Sequence, residues 1–421
     1  MCDSLGASVA RGGGTNTLNT RTVPIIFVPG VMGTRLRRPN GDGYWDPDNS
    51  STMLPLLTAS ASMEGLMLDA RTGAEVMRTG SSAAALTAEE TDRGWGGPAW
   101  GFYGNLLRTL QNQSNWGGNH CNVYGFGYDW RQSNATTGAR LNRFISQVIR
   151  HEEGAEKAII VTHSMGGLVT RYACKHGAAA SVQGVVHVVQ PAVGAVAVYR
   201  RFKTGASSSL GDGDFGLVRI LGNTAYKYQR VACGLLGPYE LLPSNHHPVA
   251  PYNRQHWLTW DAPLQATFPW PPPNIYDTYR EASGKVGIFE MASDAWVAGR
   301  IRRGLTTAEN FHRDLGIWYH DPTYVVAVDG HETDAGTDLE TTSHVFGADT
   351  AEVNETLLGL SRRTYHPGDG SVPIGSQTAL GVPAANQHVF PSGAPEHADV
   401  FGSSAVNSRV ITFINRALSR P

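Results

Sequence analysis

An α/β fold, a mostly parallel sheet covered by helices on both faces, is predicted by three features of this 421-residue chain. Short β-branched runs such as TVPIIFVPG (22–30) and KAIIVTH (157–163) are continuously apolar, as strands buried on both faces are. Stretches of helical periodicity alternate with these runs. A serine also stands at an abrupt strand-to-helix junction, in IIVTHSMGGL (159–168).

Taken in chain order, residues 1–21 form a flexible N-terminus rich in Gly, Ser, Thr and Asn. TVPIIFVPG is the first strand and ends in a Pro-Gly turn. Residues 38–100 carry scattered turn signals, PNGDG (39–43) and DPDN (46–49), and read as a lid-like insertion. FYGNLLRTLQN (102–112) places Phe102, Leu106, Leu107 and Leu110 on one helical face. CNVYGFGYDW (121–130) is a second strand, and ARLNRFISQVIRHEE (139–153) a helix with Leu141, Phe144, Ile145 and Val148 inward. GLVTRYACKHG (167–177) resumes helical spacing after KAIIVTH, and VQGVVHVVQP (182–191) is the next strand. The first part of the core is thus 22–194.

Regularity fails over 195–320, which holds a WPPP run (270–273) and few clear strands and reads as an inserted cap domain. The second part of the core, 321–421, contains the strands TYVVAV (323–328) and QHVF (387–390). It closes with a helix whose apolar face is Val406, Val410, Phe413, Ile414 and Ala417.

Composition narrows the function classes. With 17% charged residues and a net charge of −2, the chain has no bulk attraction to nucleic acid or anionic membranes, and no basic run or nucleic-acid module appears. Cys2, Cys121, Cys174 and Cys233 are widely spaced, which argues against a disulfide framework while leaving a single bridge open. No apolar signal-peptide core precedes residue 21, and the most apolar stretch, 185–198, is shorter than a membrane span. The expectation is a soluble chain, cytoplasmic as synthesised. No cofactor is implied and no metal site, because the His246-His247 pair lies in a Pro/Asn-rich loop and reads as surface.

The chemistry is carried by Ser164. A serine between strand and helix, followed by Gly166 and Gly167, is a nucleophile elbow, the mark of the α/β-hydrolase fold. The positions two before and two after the serine must be small; Gly166 complies, whereas Thr162 departs from the usual Gly or Ala. A serine could instead simply cap a helix, but the preceding strand and the Gly-Gly pair favour catalysis. A serine hydroxyl needs a base and an orienting acid, later in the chain in the order acid, then His. PGDGSVP (367–373) offers Asp369 and APEHADV (394–400) offers His397. Asp329 is the rival acid, and His331 and His388 the rival bases. An oxyanion hole needs two backbone N–H groups. Met165 supplies one, and VPGVMGTRL (28–36) the other, from Val31 first or Met32 second, with glycines on both sides allowing the backbone close to the substrate.

VPGVMGTRL, YGFGYDWR (124–131), VTHSMGGLVTR (161–171), YELLPS (239–244) and GDGSVP (368–373), in that order, resemble the lecithin:cholesterol acyltransferase and lysosomal phospholipase A2 group of α/β hydrolases. That resemblance implies an acyl-enzyme on Ser164, Asp369 and His397 as partners, the Val31 and Met165 amides as oxyanion hole, and a cap and lid over a lipid pocket. It places lid or membrane-contacting residues in the 38–100 insertion, where MEGLML (63–68) and Trp45 would either touch acyl chains or pack in the core. VVHVVQPAVGAVAVYRRFKTG (185–205) with GPYELLPS (237–244) is also similar to bacterial type VI secretion lipase effectors of the GPI inositol-deacylase-like kind. Such proteins need no cleavable signal, so this second resemblance implies export, a secretion-spike partner and a neutralising immunity protein.

The function expected is hydrolysis of phospholipid or other lipid acyl esters, with transient membrane contact. Acyl transfer to a lipid alcohol is the alternative within enzymes, and a lipid-binding module with a decayed site the alternative outside them.

Overall fold

Continuous apolar runs become strands hidden on both sides, and their two-residue period distributes side chains to two separate cores. The computed structural model describes residues 21–39, 43–59, 67–79, 85–206, 215–223, 225–244, 246–247, 291–339, 360–378 and 381–420. In chain order the strands are β1 (Ile25–Val28), β2 (Leu36–Arg37), β3 (Gly43–Trp45), β4 (Glu75–Val76), β5 (Val123–Gly125) and β6 (Ala158–His163). They continue with β7 (Val182–Val188), β8 (Thr323–Val328), β9 (His331–Leu339), β10 (Leu360–Gly368) and β11 (Gln387–Phe390).

Six of these make the central sheet, in the order β11-β8-β7-β6-β1-β5, with every neighbouring pair parallel. This is the predicted α/β-hydrolase architecture. Ile26, Val28, Ile160 and Val185 point into one core, against Leu141, Ile145 and Val148 of the helix Asn134–His151 and Leu168 and Val169 of the helix Gly166–Ala173. Ile25, Phe27, Ile159, Val161 and Val186 point into the other. There they meet Tyr103, Leu106, Leu107 and Leu110 of the helix Trp100–Gln111 and the expected face of the final helix, Ser404–Leu418. Fully burying each such side chain stabilises the fold by roughly 1.5–3 kcal/mol.

Two inward faces differ from expectation. Phe102 is exposed and its neighbour Tyr103 is buried instead. Phe144 is only partly buried and rests against Phe126, with ring centroids 5.1 Å apart. The elbow helix is regular over Gly166–Ala173 and then widens into a turn at Cys174–Ala178, where Gly177 has φ of 130°.

The 38–100 segment contributes β3 and β4, which flank β2 just before it in a small antiparallel sheet where Leu36 pairs with both Trp45 and Val76. Arg35 reaches across it to Asp46 through two 2.9 Å bonds, both partners almost fully buried. Trp45 is buried and meets Trp130 edge-on at 5.0 Å, so it is core rather than an acyl contact. Leu68 is also buried, while residues 63–66 lie outside the described residues.

The described part of 195–320 is helical: Val196–Thr204, Phe215–Leu221, Ala225–Ala232, Leu236–Tyr239 and the long Met291–Leu315. The last buries Val297, Ile301, Leu305, Ala308, Phe311 and Leu315, a continuous helical stripe in a helix that also carries glycines. One of these, Gly304, is required by packing, since a Cβ there would stand 2.5 Å from the Tyr239 ring. The WPPP run lies outside the described residues. His247 corrects the expectation of a surface pair: it is buried, its N–H donating to Ser244 O at 3.0 Å, and only His246 is exposed. The antiparallel ribbon β9–β10 was not anticipated, because HETDAGTDL lacks apolar alternation.

Candidate active site

Three strained residues mark one edge of the sheet. Among the described residues, the non-glycine positions with positive φ are Met32 (58°), Ser164 (50°) and Val189 (45°). They follow the C-terminal ends of β1, β6 and β7, which are neighbours in the sheet. Each such conformation costs of order 1–3 kcal/mol, and positions of this kind cluster where a fold holds functional groups in fixed geometry.

Ser164 is the elbow. Its N–H donates to Val188 O at 3.1 Å and its carbonyl accepts Gly167 N–H at 2.9 Å, which locks the turn between β6 and the next helix. Gly166 is dictated by contact: a Cβ there would lie 2.5 Å from Val28 O and 2.6 Å from Pro29 O. Thr162 is tolerated because its hydroxyl points to β7 and hydrogen-bonds His187 Nδ1 at 2.8 Å, both groups being buried. The departure from a small residue is absorbed by a polar partner on the adjacent strand.

The structure brings Ser164, His397 and Asp369 together. His397 Nε2 is 2.8 Å from Ser164 Oγ, and its Nδ1 is 2.7 Å from Asp369 Oδ2. A carboxylate only accepts, so Nδ1 carries the proton and Nε2 is left to accept from the Ser164 hydroxyl. Asp369 is fully buried, and its Oδ1 accepts the N–H groups of Ser371 (2.9 Å) and Val372 (2.7 Å). Its own carbonyl accepts His397 N–H at 2.9 Å, so the acid and base loops are tied by backbone as well as by side chain.

The rivals stand elsewhere. Asp329 uses its N–H on Phe390 O at 3.0 Å. His331 Nε2 bonds Ala394 O at 2.7 Å, bracing the loop that carries His397. His388 lies on edge strand β11 with its ring against Phe390.

Three amides remain for a developing negative charge. Among the described residues, the backbone N–H groups of Val31 and Met165 have no protein acceptor, and neither does that of Met32. The Met32 carbonyl accepts Trp45 Nε1–H at 2.9 Å, which fixes the crest of the loop. The loop glycines do a different task from the one expected. A Cβ on Gly30 would meet His163 Nδ1 at 2.9 Å and Ser164 Cβ at 3.0 Å, and one on Gly33 would meet Tyr103 Oη at 2.4 Å. They let the loop sit against its own protein support rather than against substrate.

Sequence reasoning missed that support. Tyr103 Oη is 3.0 Å from His163 Nδ1 and accepts Gly30 N–H at 3.2 Å, and His163 Nε2 is 3.0 Å from His397 O. Burial first, and the neighbouring His397 second, push the His163 pKa down to about 3, so its ring is neutral. The signal available was a histidine beside the nucleophile and a tyrosine on a helix face otherwise assigned to Phe102. Among the described residues there is no group of three or more His, Cys, Asp or Glu placed to hold a metal ion, and no helix long and apolar enough to cross a membrane. Cys121, Cys174 and Cys233 are buried free thiols.

Among known proteins the chain resembles a family in sequence and a solved structure in fold. The model of the lecithin:cholesterol acyltransferase family matches residues 99–283, a span that includes Ser164, and bears out the resemblance read from the motifs. The crystal structure of the Tle4–Tli4 complex contains a chain 21% identical to this one, covering 95% of this chain and 99% of that chain at a TM-score of 0.69. Bacillus licheniformis lipase BlEst2 in its mature form is 10% identical over 96% of both chains, with a TM-score of 0.34. Phospholipase PlaB from Legionella pneumophila is 16% identical over 45% of this chain and 28% of that chain, with a TM-score of 0.23. None of the curated proteins matches the chain.

Proposed function

We propose that the protein hydrolyses lipid acyl esters through an acyl-enzyme on Ser164. The observation that carries the reading is the chain of two short hydrogen bonds, Ser164 to His397 and His397 to Asp369, set beside unused amides. Ser164 Oγ attacks the acyl carbonyl carbon while its proton passes to His397 Nε2. The carbonyl electron pair moves to oxygen, to which the N–H groups of Val31 and Met165 donate hydrogen bonds; one such donor is worth roughly a factor of 10²–10³ in rate. Collapse expels the alcohol, which takes the proton from His397. Water then attacks the acyl-enzyme, giving up its proton to His397, and as the bond from the acyl carbon to Ser164 Oγ breaks that proton passes to Oγ and the fatty acid leaves.

The lipid part of the reading is supported by the family match over 99–283. Because that family is named for an acyltransferase, transfer of the acyl group to a lipid alcohol in place of water is the second reading. Likeness to the chain solved in complex with Tli4 supports, on the same footing, a protein partner that binds this chain, while neutralisation by it and export with a secretion spike rest on the motif resemblance. Incubation with mixed phospholipids, with and without a long-chain alcohol, tests the chemistry by mass spectrometry. Free fatty acid with lysolipid is the expected product; acylated alcohol in its place would establish transfer. A folded sample that releases neither refutes the lipid reading.

A further inference from the structure

The catalytic groups sit on separate loops, and something must fix the distance between the loop that carries the base and the loop that carries the oxyanion amide. We propose that His163, acting through Tyr103, is the positioning residue that does this, an inference that rests on the esterase reading above.

The hydrogen-bond directions follow from which groups can donate. The carbonyl oxygen of His397 can only accept, so the proton of the neutral His163 ring is on Nε2, and Nε2–H donates to it at 3.0 Å. His163 Nδ1 is then an acceptor. Gly30 N–H donates to Tyr103 Oη at 3.2 Å, which leaves the Tyr103 proton for His163 Nδ1 at 3.0 Å. The path runs unbroken from Gly30, one residue before Val31, to the backbone of His397 itself.

Packing makes the path stiff. The His163 ring lies 5.5 Å from Tyr103, 5.5 Å from Phe401 and 5.0 Å from His397, centroid to centroid. Tyr103 in turn stands 4.9 Å from Phe27 of β1. Gly30 and Gly33 are bare because His163 and Tyr103 fill the space where side chains would be. His163 is the residue before the nucleophile, so the same strand end positions the attacking oxygen, the base and the amide loop. A histidine that merely satisfied its own polar atoms would need none of these three to meet on it.

Two amide substitutions separate the arms of the strut. In His163→Gln the side-chain nitrogen reaches the former Nε2 position and can still donate to His397 O. In His163→Asn the amide reaches only the former Nδ1 position, so the Tyr103 arm survives and the His397 arm is lost. Tyr103→Phe keeps the ring packing and removes only the hydroxyl, as a second probe should a His163 variant fail to fold. The measurements are kcat and KM on a water-soluble p-nitrophenyl acyl ester, with active sites counted by fluorophosphonate labelling.

A displacement of the base by a fraction of an ångström to 1 Å predicts that His163→Asn lowers kcat by roughly 10- to 100-fold, with KM within about twofold. His163→Gln is expected to recover most of that loss, and Tyr103→Phe to lower kcat about tenfold. Equal kcat per labelled site in the Asn and Gln variants, or an unchanged kcat in Tyr103→Phe, overturns the proposal while the esterase reading stands. A wild-type protein that neither turns over the ester nor labels at Ser164 sinks both.

Discussion

The nucleophile edge of the sheet and the junction between the sheet and the helices of 195–320, the segment that reads as a cap, both contain buried polar groups, but of opposite character. At the edge, burial drives His163 down to about 3 and His187 well below the ordinary imidazole range, so both rings are neutral. At the junction, the buried Glu240 spans from the cap to the start of the helix Asn134–His151. It accepts Ser133 Oγ–H and Asn134 N–H at 2.6 Å each. Burial raises its pKa to about 8, outweighing these two bonds, which pull the other way. Parallel strands already fix the edge through their backbone, so its side chains are free to hold protons for chemistry. The helices of 195–320 have no strand in common with the sheet among the described residues; they share an apolar core with it, in which Tyr239, Leu242 and Ile301 cluster with Val28 and Leu168, and buried polar groups such as Glu240 add directed bonds.

If the edge is organised around one proton path, removing its ends has the largest effect. Ser164→Ala should lower kcat by more than about 10⁴-fold while the thermal transition stays close to wild type. Asp369→Asn should cost about 10³–10⁴-fold, because an amide donating toward His397 Nδ1 forces the proton onto Nε2. Initial rates with active-site titration read both. Substantial activity in either variant would mean that the edge does not work as the contrast requires. Gly30→Ala comes next at roughly 100-fold, since its methyl would press on His163 and Ser164 and shift both.

How much of this was legible in the sequence follows the same division. The strands of the central sheet were readable because burial on both faces leaves continuous β-branched runs, and the residues of the site sit on turns whose Gly and Pro are local signals. The cap was opaque for physical reasons. Gly299 and Gly304 lower the helix propensity of Met291–Leu315, although the buried stripe runs unbroken and Gly304 lets Tyr239 approach. The ribbon β9–β10 carries polar residues throughout, and Arg200 of a cap helix pairs with Asp334 of β9 across a separation of 134 residues. Thr162 and His187 likewise make sense only as a pair on neighbouring strands, which no local window reveals.

The junction makes an intermediate prediction in stability rather than rate. Glu240 has a folded pKa, about 8, above its unfolded value of 4.5, so the folded state binds the extra proton. Its contribution is complete below pH 4.5 and is lost as pH rises through about 8. Denaturant unfolding should therefore show stability falling by about 1–2 kcal/mol between pH 6.5 and 8, above the range in which the buried histidines act. Glu240→Gln keeps an acceptor for Asn134 and gains a donor for Ser133, and should flatten that limb. The buried histidines act in the other window, since rings with lowered pKa cost stability as pH falls below their unfolded value of 6.5. His312, pushed down to about 4 chiefly by burial, belongs to the cap helix, so the alkaline limb alone isolates the junction. An alkaline limb that persists in Glu240→Gln would place the titrating group elsewhere and erase the contrast.

The smallest effect tests where the edge ends. The oxyanion loop is held on one side by Tyr103 at Gly30 and on the other by Trp45 of β3 at Met32. Trp45 is fully buried against Trp130, but the Met32 backbone it holds is only partly buried, so water can replace the lost indole N–H. Trp45→Phe should thus cost about 0.5–1.5 kcal/mol for the hydrogen bond, with some further loss from the smaller ring. It should lower kcat only a few-fold, because the path through Gly30, Tyr103 and His163 still sets Val31. A kcat loss as large as that of Tyr103→Phe would show the small sheet β2–β3–β4 to be as much a part of the catalytic support as the strands beneath it.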